Sequence, residues 1–74
     1  MTRNELIDRI AYENWQINHD RGFQTSPEAD HRIAEAVVKY FEGGRLTARY
    51  QQGYKEFEHI WKEYEKTQRE ALSL

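Results

Sequence analysis

Two pairs of residues have the spacing of helical metal ligands. Glu28 and His31 form one pair and Glu56 and His59 form the other, each a Glu-x-x-His motif. On a helix this spacing brings a carboxylate and an imidazole toward one face, and di-iron helical bundles use the same pair. Such a site also needs further inward carboxylates, and the apolar stripe of the first predicted helix supplies none. We therefore expect both pairs on the solvated surface and predict neither a metal nor another cofactor.

Other residues capable of chemistry are few. The chain has no cysteine, and its serines are Ser26 and Ser73, a predicted helix cap and a tail residue. Neither serine has the nearby histidine and carboxylate that activate a nucleophile. Gly43–Gly44 follows a predicted helix and lacks the lysine of a phosphate-binding loop. These patterns predict a protein that is not an enzyme.

Helix signals in the first half of the chain define two elements. Thr2 and Glu5 are spaced as a capping box, which predicts a first helix over about residues 2–18. Ser26 is a natural N-cap, and it predicts a second helix over about residues 27–42. The first helix has a broad apolar face made of Leu6, Ile7, Ile10, Ala11, Trp15 and Ile17.

A glycine pair separates the second helix from the third. Gly43–Gly44 predicts a short turn and an antiparallel hairpin with a long third helix over about residues 46–71. This helix carries an aromatic seam with the spacing of a heptad, namely Tyr50, Tyr54, Phe57, Trp61 and Tyr64. We predict an all-α fold: one small three-helix domain over residues 1–74, with an antiparallel helix 2–helix 3 hairpin and a long C-terminal helix.

Helix lengths divide the aromatic seam into two parts. At about 1.5 Å per residue, the third helix is about 37 Å long and the second about 24 Å. An antiparallel hairpin then places Pro27 level with Ile60, so that Trp61 and Tyr64 extend beyond the second helix. We predict Ile60, Trp61 and Tyr64 as a partner or dimer interface. The loop residue Phe23 either folds back onto a helix or joins that interface, and we include it there.

A helix-turn-helix is the alternative interpretation. Residues 33–54 have its pattern of a short helix, a glycine-containing turn and a second short helix, with Gly53 before a recognition helix. The helix from Lys55 onward, however, mixes its lysines with Glu56 and Glu58. Those carboxylates would meet phosphates and base acceptors repulsively. The alternative function is therefore a small DNA-binding regulator, with nucleic acid as the less favoured partner.

Composition limits the compartment and the class of partner. The chain has 74 residues, a formal net charge of −2 and 14% aromatic residues. A weakly acidic chain has no positive field to attract nucleic acid or an anionic membrane. The longest apolar run, residues 36–38, is far too short to span a bilayer. We expect a cytoplasmic protein that binds no membrane.

Together these patterns predict a non-enzymatic protein–protein interaction module. A short chain with a thin core often gains stability by self-association, so we expect a homodimer. Its mechanism would be occupancy, in which an aromatic and charged helical surface blocks or bridges another protein. Small cysteine-free domains without a catalytic constellation are common among phage and mobile-element proteins, and that prior favours an inhibitor of host machinery.

Overall fold

The computed structural model describes residues 1–43 and 54–72, and the chain is all-α over these residues. Its elements are α1 (Arg3–Asp20), α2 (Pro27–Phe41), a 3₁₀ helix (Tyr54–Phe57) and α3 (Glu58–Leu72). The predicted all-α class is confirmed. None of the described helices is long and apolar enough to cross a membrane.

The start of α1 has the capping box that the sequence predicts. The N–H of Glu5 donates to Thr2 Oγ1 at 3.2 Å, and the N–H of Thr2 donates to Glu5 Oε1 at 3.4 Å. These reciprocal bonds satisfy two backbone donors that a helix N-terminus otherwise leaves unpaired. The helix runs to Asp20, two residues past the predicted end. It stops just before Gly22, whose φ of 84° lies in the left-handed region that favours glycine.

The predicted signals at both ends of α2 are also confirmed. Ser26 Oγ accepts a hydrogen bond from the N–H of Ala29 at 3.1 Å, and Pro27 is the first helical residue. Proline suits this position because its missing N–H would have no helical partner there. The helix ends at Phe41, and Gly43 follows with a φ of 109°.

The C-terminal helix differs from its prediction. Tyr54–Phe57 is a 3₁₀ helix and the α-helix begins only at Glu58, so a continuous α-helix over 46–71 is wrong at these four residues. Short 3₁₀ turns are common at α-helix N-termini, where the first N–H groups lack partners four residues back. The predicted start near residue 46 lies outside the described residues, as does Gly53.

α1 and α2 pack side by side in opposite directions. At one end, the Arg3 guanidinium donates two hydrogen bonds to the Glu42 carboxylate, at 2.9 and 3.0 Å. Farther along, Asn14 Nδ2 donates to Asp30 Oδ1 at 2.8 Å. Early residues of α1 thus meet late residues of α2, which makes the two helices an antiparallel pair.

α3 is antiparallel to α1 as well. Arg21, just past the C-terminal end of α1, pairs with Glu56 at 3.1 Å, and Gln68 Nε2 donates to the carbonyl of Met1 at 3.1 Å. Since both helices oppose α1, α2 and α3 point the same way. The turn of the predicted helix 2–helix 3 hairpin extends into residues 44–53, outside the described part. Within that part, the antiparallel neighbour of α3 is α1.

The core lies between α1, α2 and the first turns of α3. Its buried apolar side chains are Leu6, Ile7, Ile10, Ala34, Val37, Val38, Phe57 and Ile60. Across residues 1–43 and 54–72, every buried side-chain nitrogen or oxygen has a hydrogen-bond partner. Both α2 and α3 therefore use the same face of α1, and this leaves its opposite face uncovered by them.

Candidate protein-interaction surface

The outward side of α1 carries a row of four side chains. They are four, three and four residues apart, which keeps them within about 60° of one another around a helix of 3.6 residues per turn. We call this row the outer stripe, and it consists of Asp8, Tyr12, Trp15 and His19. Tyr12 is 61% exposed and Trp15 is 40% exposed. The stripe thus presents two large aromatic groups on the surface of a well-capped helix.

The rings of the outer stripe touch one another. The centroids of Tyr12 and Trp15 are 5.9 Å apart with the planes tilted by 32°. Trp15 and His19 are stacked, with centroids 5.0 Å apart and an interplanar angle of 13°. Aromatic pairs at 4.5–7 Å attract each other beyond simple area burial. Three neighbouring rings therefore support one another's positions before any partner arrives.

The exposure of this stripe follows from a second apolar face on the same helix. Leu6, Ile7 and Ile10 lie on the opposite side of α1 and are buried in the core. An aliphatic face packs closely against α2 and α3, whereas Tyr and Trp can keep a polar tip in water. The helix has one inward side, and its aliphatic residues occupy it.

A groove of about 330 Å³ lies between the outer stripe and the start of α2. The residues that line it are Asp8, Ala11, Tyr12, Trp15, Pro27, Asp30 and His31. At the rim, His31 Nε2 lies 2.9 Å from Glu35 Oε1. Its walls are mostly the sides of aromatic rings, an alanine and a proline. The groove is therefore suited to an apolar or aromatic side chain of a partner.

Of the two carboxylates among these lining residues, that of Asp30 is already engaged. Asp30 is 3% exposed, and its two oxygens accept hydrogen bonds from Asn14 Nδ2 at 2.8 Å and Thr25 Oγ1 at 2.9 Å. A buried carboxylate is costly unless such bonds replace its water. This cluster joins α1, the loop and α2, so it holds the two walls of the groove in fixed relation.

The residues predicted to form an interface do not share one exposed surface. Phe23 is 63% exposed, and its N–H donates to the carbonyl of Asn18 at 2.8 Å. It is not among the side chains that pack on the core of the described residues. Ile60 is 1% exposed and belongs to the core, so it is not accessible to a partner. The prediction that it lies on an interface is therefore corrected, because α3 buries this face against the chain's own helices.

Trp61 and Tyr64 also pack on the chain itself. Trp61 stacks on Phe41 with centroids 5.3 Å apart and an interplanar angle of 9°, and Tyr64 follows at 5.4 Å from Trp61. Both are partly buried against the core. The expectation that Trp61 is out of reach of α2 is wrong, since its ring stacks on Phe41, the last residue of α2. That expectation assumed one continuous antiparallel helix.

Sequence reasoning missed the outer stripe. It assigned Trp15 to the broad apolar face and gave no role to Tyr12 or His19. The signal was present, because positions 8, 12, 15 and 19 have heptad spacing of their own on the side of the helix opposite Leu6 and Ile10. Testing each helix for a second stripe would have found it.

The motifs considered for metal or DNA binding have other contacts. His31 pairs with Glu35, and Glu56 with Arg21. Among the residues that the structure describes, no three histidine or acidic side chains are placed to hold a metal ion together. In the predicted recognition helix, Lys62 lies 3.5 Å from Glu58. The Gly53 turn of that helix-turn-helix prediction lies outside the described part of the chain.

Comparisons with known proteins gave no relative: no family model, no curated protein and no solved structure matches the chain. The exposure, contacts and charges of its own side chains are therefore what points to a function.

Proposed function

We propose that the chain is a protein-interaction module that acts by occupying a partner's surface rather than by catalysis. The observation that carries this proposal is the pair of exposed rings, Tyr12 and Trp15, on a helix whose core-facing side is fully used by other residues. Folding alone gives no reason for two large aromatic groups at these positions. Binding does, because Trp and Tyr supply much of the affinity at protein interfaces.

The arrangement also lowers the entropic cost of binding. Ordering mobile side chains at an interface costs roughly 0.5–1.5 kcal/mol for each one. Here the Trp15 ring is already stacked on His19 and in contact with Tyr12. A partner that covers the stripe therefore meets rings that hold their bound positions in the free protein.

Phe23 is a further exposed ring, in the loop just past the C-terminal end of α1. Its backbone is tied to the last turn of the helix through Asn18, and its ring is exposed. The groove beside the stripe adds a recess for one partner side chain. The outer stripe, Phe23 and the groove together support recognition of a folded protein, whose surface has both protruding and recessed side chains.

Affinity capture with matched variants tests the proposal. Tagged wild type, Trp15→Ala and Leu72→Ala are each used to capture proteins from lysate of the source organism. Leu72 is a suitable control because it is an equally apolar, 86% exposed residue at the far end of α3. We expect a partner that is retained by wild type and Leu72→Ala and lost by Trp15→Ala. Equal capture by all three would contradict the proposal.

A further inference from the structure

The two ends of the outer stripe have opposite chemical character. Asp8 lies toward the N-terminal end of α1 and His19 in its last turn, with Tyr12 and Trp15 between them. Within residues 1–43 and 54–72, Asp8 makes no ion pair. The stripe thus has an acid at one end and a base at the other. Two such stripes that run in opposite directions place an acid beside a base at both ends.

We propose that the outer stripe binds the outer stripe of a second copy of this chain, antiparallel across a two-fold axis. This inference rests on the proposed function, since it names the partner of the same surface. Spacings of four, three and four make the stripe a d-a-d-a heptad seam, and antiparallel seams pair each a position with a d position. Tyr12 then faces Trp15 of the second copy, and Asp8 faces its His19.

This register is selected by the residues of the stripe. A shift of one heptad in either direction removes one end of each stripe from the contact. A parallel arrangement places the two Asp8 carboxylates together, which is repulsive. The antiparallel register pairs all four positions at once and gives an isologous interface, in which both copies use the same patch.

The groove between α1 and α2 fits the same arrangement. It runs beside the stripe, and its wall on the α2 side includes Pro27 and His31. When two copies of α1 meet along their stripes, the rings of one copy come to lie next to the groove of the other. Two symmetric grooves would each receive an aromatic side chain, and two α1–α2 pairs would form a four-helix arrangement.

The size of the interface indicates a weak dimer. A fully buried aromatic side chain removes about 150–250 Å² from water. Covering the exposed parts of Tyr12 and Trp15 in both copies would therefore bury about 400 Å². Flanking residues add to this, yet the total stays below the roughly 1,200 Å² of stable complexes. We expect an equilibrium between monomer and dimer that is visible between about 10 µM and 1 mM.

Sedimentation equilibrium over that concentration range tests the dimer. We expect wild type and Leu72→Ala to dimerise equally, and Trp15→Ala to dimerise at least tenfold more weakly. Circular dichroism of each variant establishes that the helices are intact. A wild type that stays monomeric to about 1 mM overturns the second-copy proposal, and so does a dimer that Trp15→Ala leaves unchanged.

A charge exchange tests the register. His19→Glu places a carboxylate opposite Asp8 at both ends of the interface, and we expect at least a tenfold loss of dimer affinity. Adding Asp8→Lys restores an attractive pair in the proposed register. The double variant should therefore recover most of the lost dimer affinity. A double variant no tighter than His19→Glu overturns the antiparallel register.

Failure of this inference can be distinguished from failure of the proposed function. If wild type is monomeric but Trp15→Ala loses a captured protein, the stripe serves a different protein, and the second copy is excluded. If wild type is monomeric and the capture is unaffected, both proposals are excluded. A dimer abolished by His19→Glu and recovered by the double variant supports the second copy as occupant.

Discussion

Two Tyr–Trp pairs of this molecule have the same composition, but one is exposed and the other is packed against the chain. Tyr12 and Trp15 on α1 are exposed, whereas Trp61 and Tyr64 on α3 pack against Phe41 and the core. Each group is a Trp and a Tyr three residues apart on a helix. The difference shows that aromatic spacing alone does not determine burial. What determines it is whether the helix has another face that packs better.

α1 has such a face and α3 does not. The inward side of α1 is filled by Leu6, Ile7 and Ile10, so its aromatic residues are left outside. In the C-terminal segment, Phe57 of the aromatic seam and the neighbouring Ile60 are buried, so the seam lies on the apolar side of that segment. Competition between faces of one helix is thus the rule that separates the surface group from the packed group.

The largest effect is expected for Ile60→Ala. Ile60 is fully buried where α3 meets α1 and α2. Truncation of a buried isoleucine costs about 2–5 kcal/mol, because it removes apolar contacts and leaves a cavity. In a domain this small, that is a large part of the total stability. Urea unfolding followed by circular dichroism measures it, and an unchanged midpoint would contradict the core assignment.

The two tryptophans test the comparison directly. Trp61→Ala should destabilise the fold by up to about 3 kcal/mol, since it removes a partly buried ring stacked on Phe41. Trp15→Ala should cost less, about 1 kcal/mol, because this ring is already 40% exposed in the monomer and lies outside the core. Urea titrations at low micromolar concentration compare them. A larger loss for Trp15→Ala would reverse the comparison.

A smaller effect is expected for Asn14→Ala on the inward side of α1. This change removes one of the two side-chain donors to the buried Asp30 carboxylate and leaves Thr25 as the other. A lost hydrogen bond of this kind costs about 1–2 kcal/mol. Gln16→Ala, an exposed change on the same helix, is the matched control. Thermal unfolding should separate the two variants, and identical curves would mean that the buried cluster contributes nothing.

The smallest effect concerns the ion pair that joins the start of α1 to the end of α2. Hydrogen bonds from the Arg3 guanidinium lower the pKa of the Glu42 carboxyl group. Because the folded-state pKa is below the unfolded one, the pair stabilises the fold above the ordinary carboxyl pKa of about 4.3. That contribution is lost as the pH falls through the folded pKa.

The pair is exposed, so its contribution is small. Arg3→Gln should lower the urea midpoint slightly at pH 7 and have no effect well below pH 4, where the carboxyl group is neutral. A difference between variant and wild type that persists at low pH would show that Arg3 acts through its packing and not through Glu42.

Local signals in the sequence predicted local structure well. The Thr2–Glu5 capping box, the Ser26 cap and the Gly43 stop are all present. Each depends on hydrogen bonds or backbone angles within a few residues, so a short segment contains all the necessary information. The boundaries of α1 and α2 were therefore close to those observed.

Long-range arrangement was harder to predict, and the candidate site was missed for that reason. The predicted interface depended on measuring α3 against α2 from one turn, whereas the contacts of Glu56 with Arg21 and of Gln68 with Met1 place α3 antiparallel to α1. The pairing of Phe41 with Trp61 joins residues distant in sequence and depends on the direction of α3. No local pattern specifies that direction, so the sequence placed the exposed aromatics on the wrong helix.

The placement of the two tryptophans gives the protein a pair of built-in optical probes. Trp61 is sandwiched against Phe41 on the chain itself, so its emission follows folding. Trp15 stands beside His19 on an open surface, so its emission follows whatever covers that surface. Replacing either one by phenylalanine leaves a single-tryptophan protein. The same molecule can thus report its own unfolding in one spectrum and the arrival of a partner in another, without an attached dye.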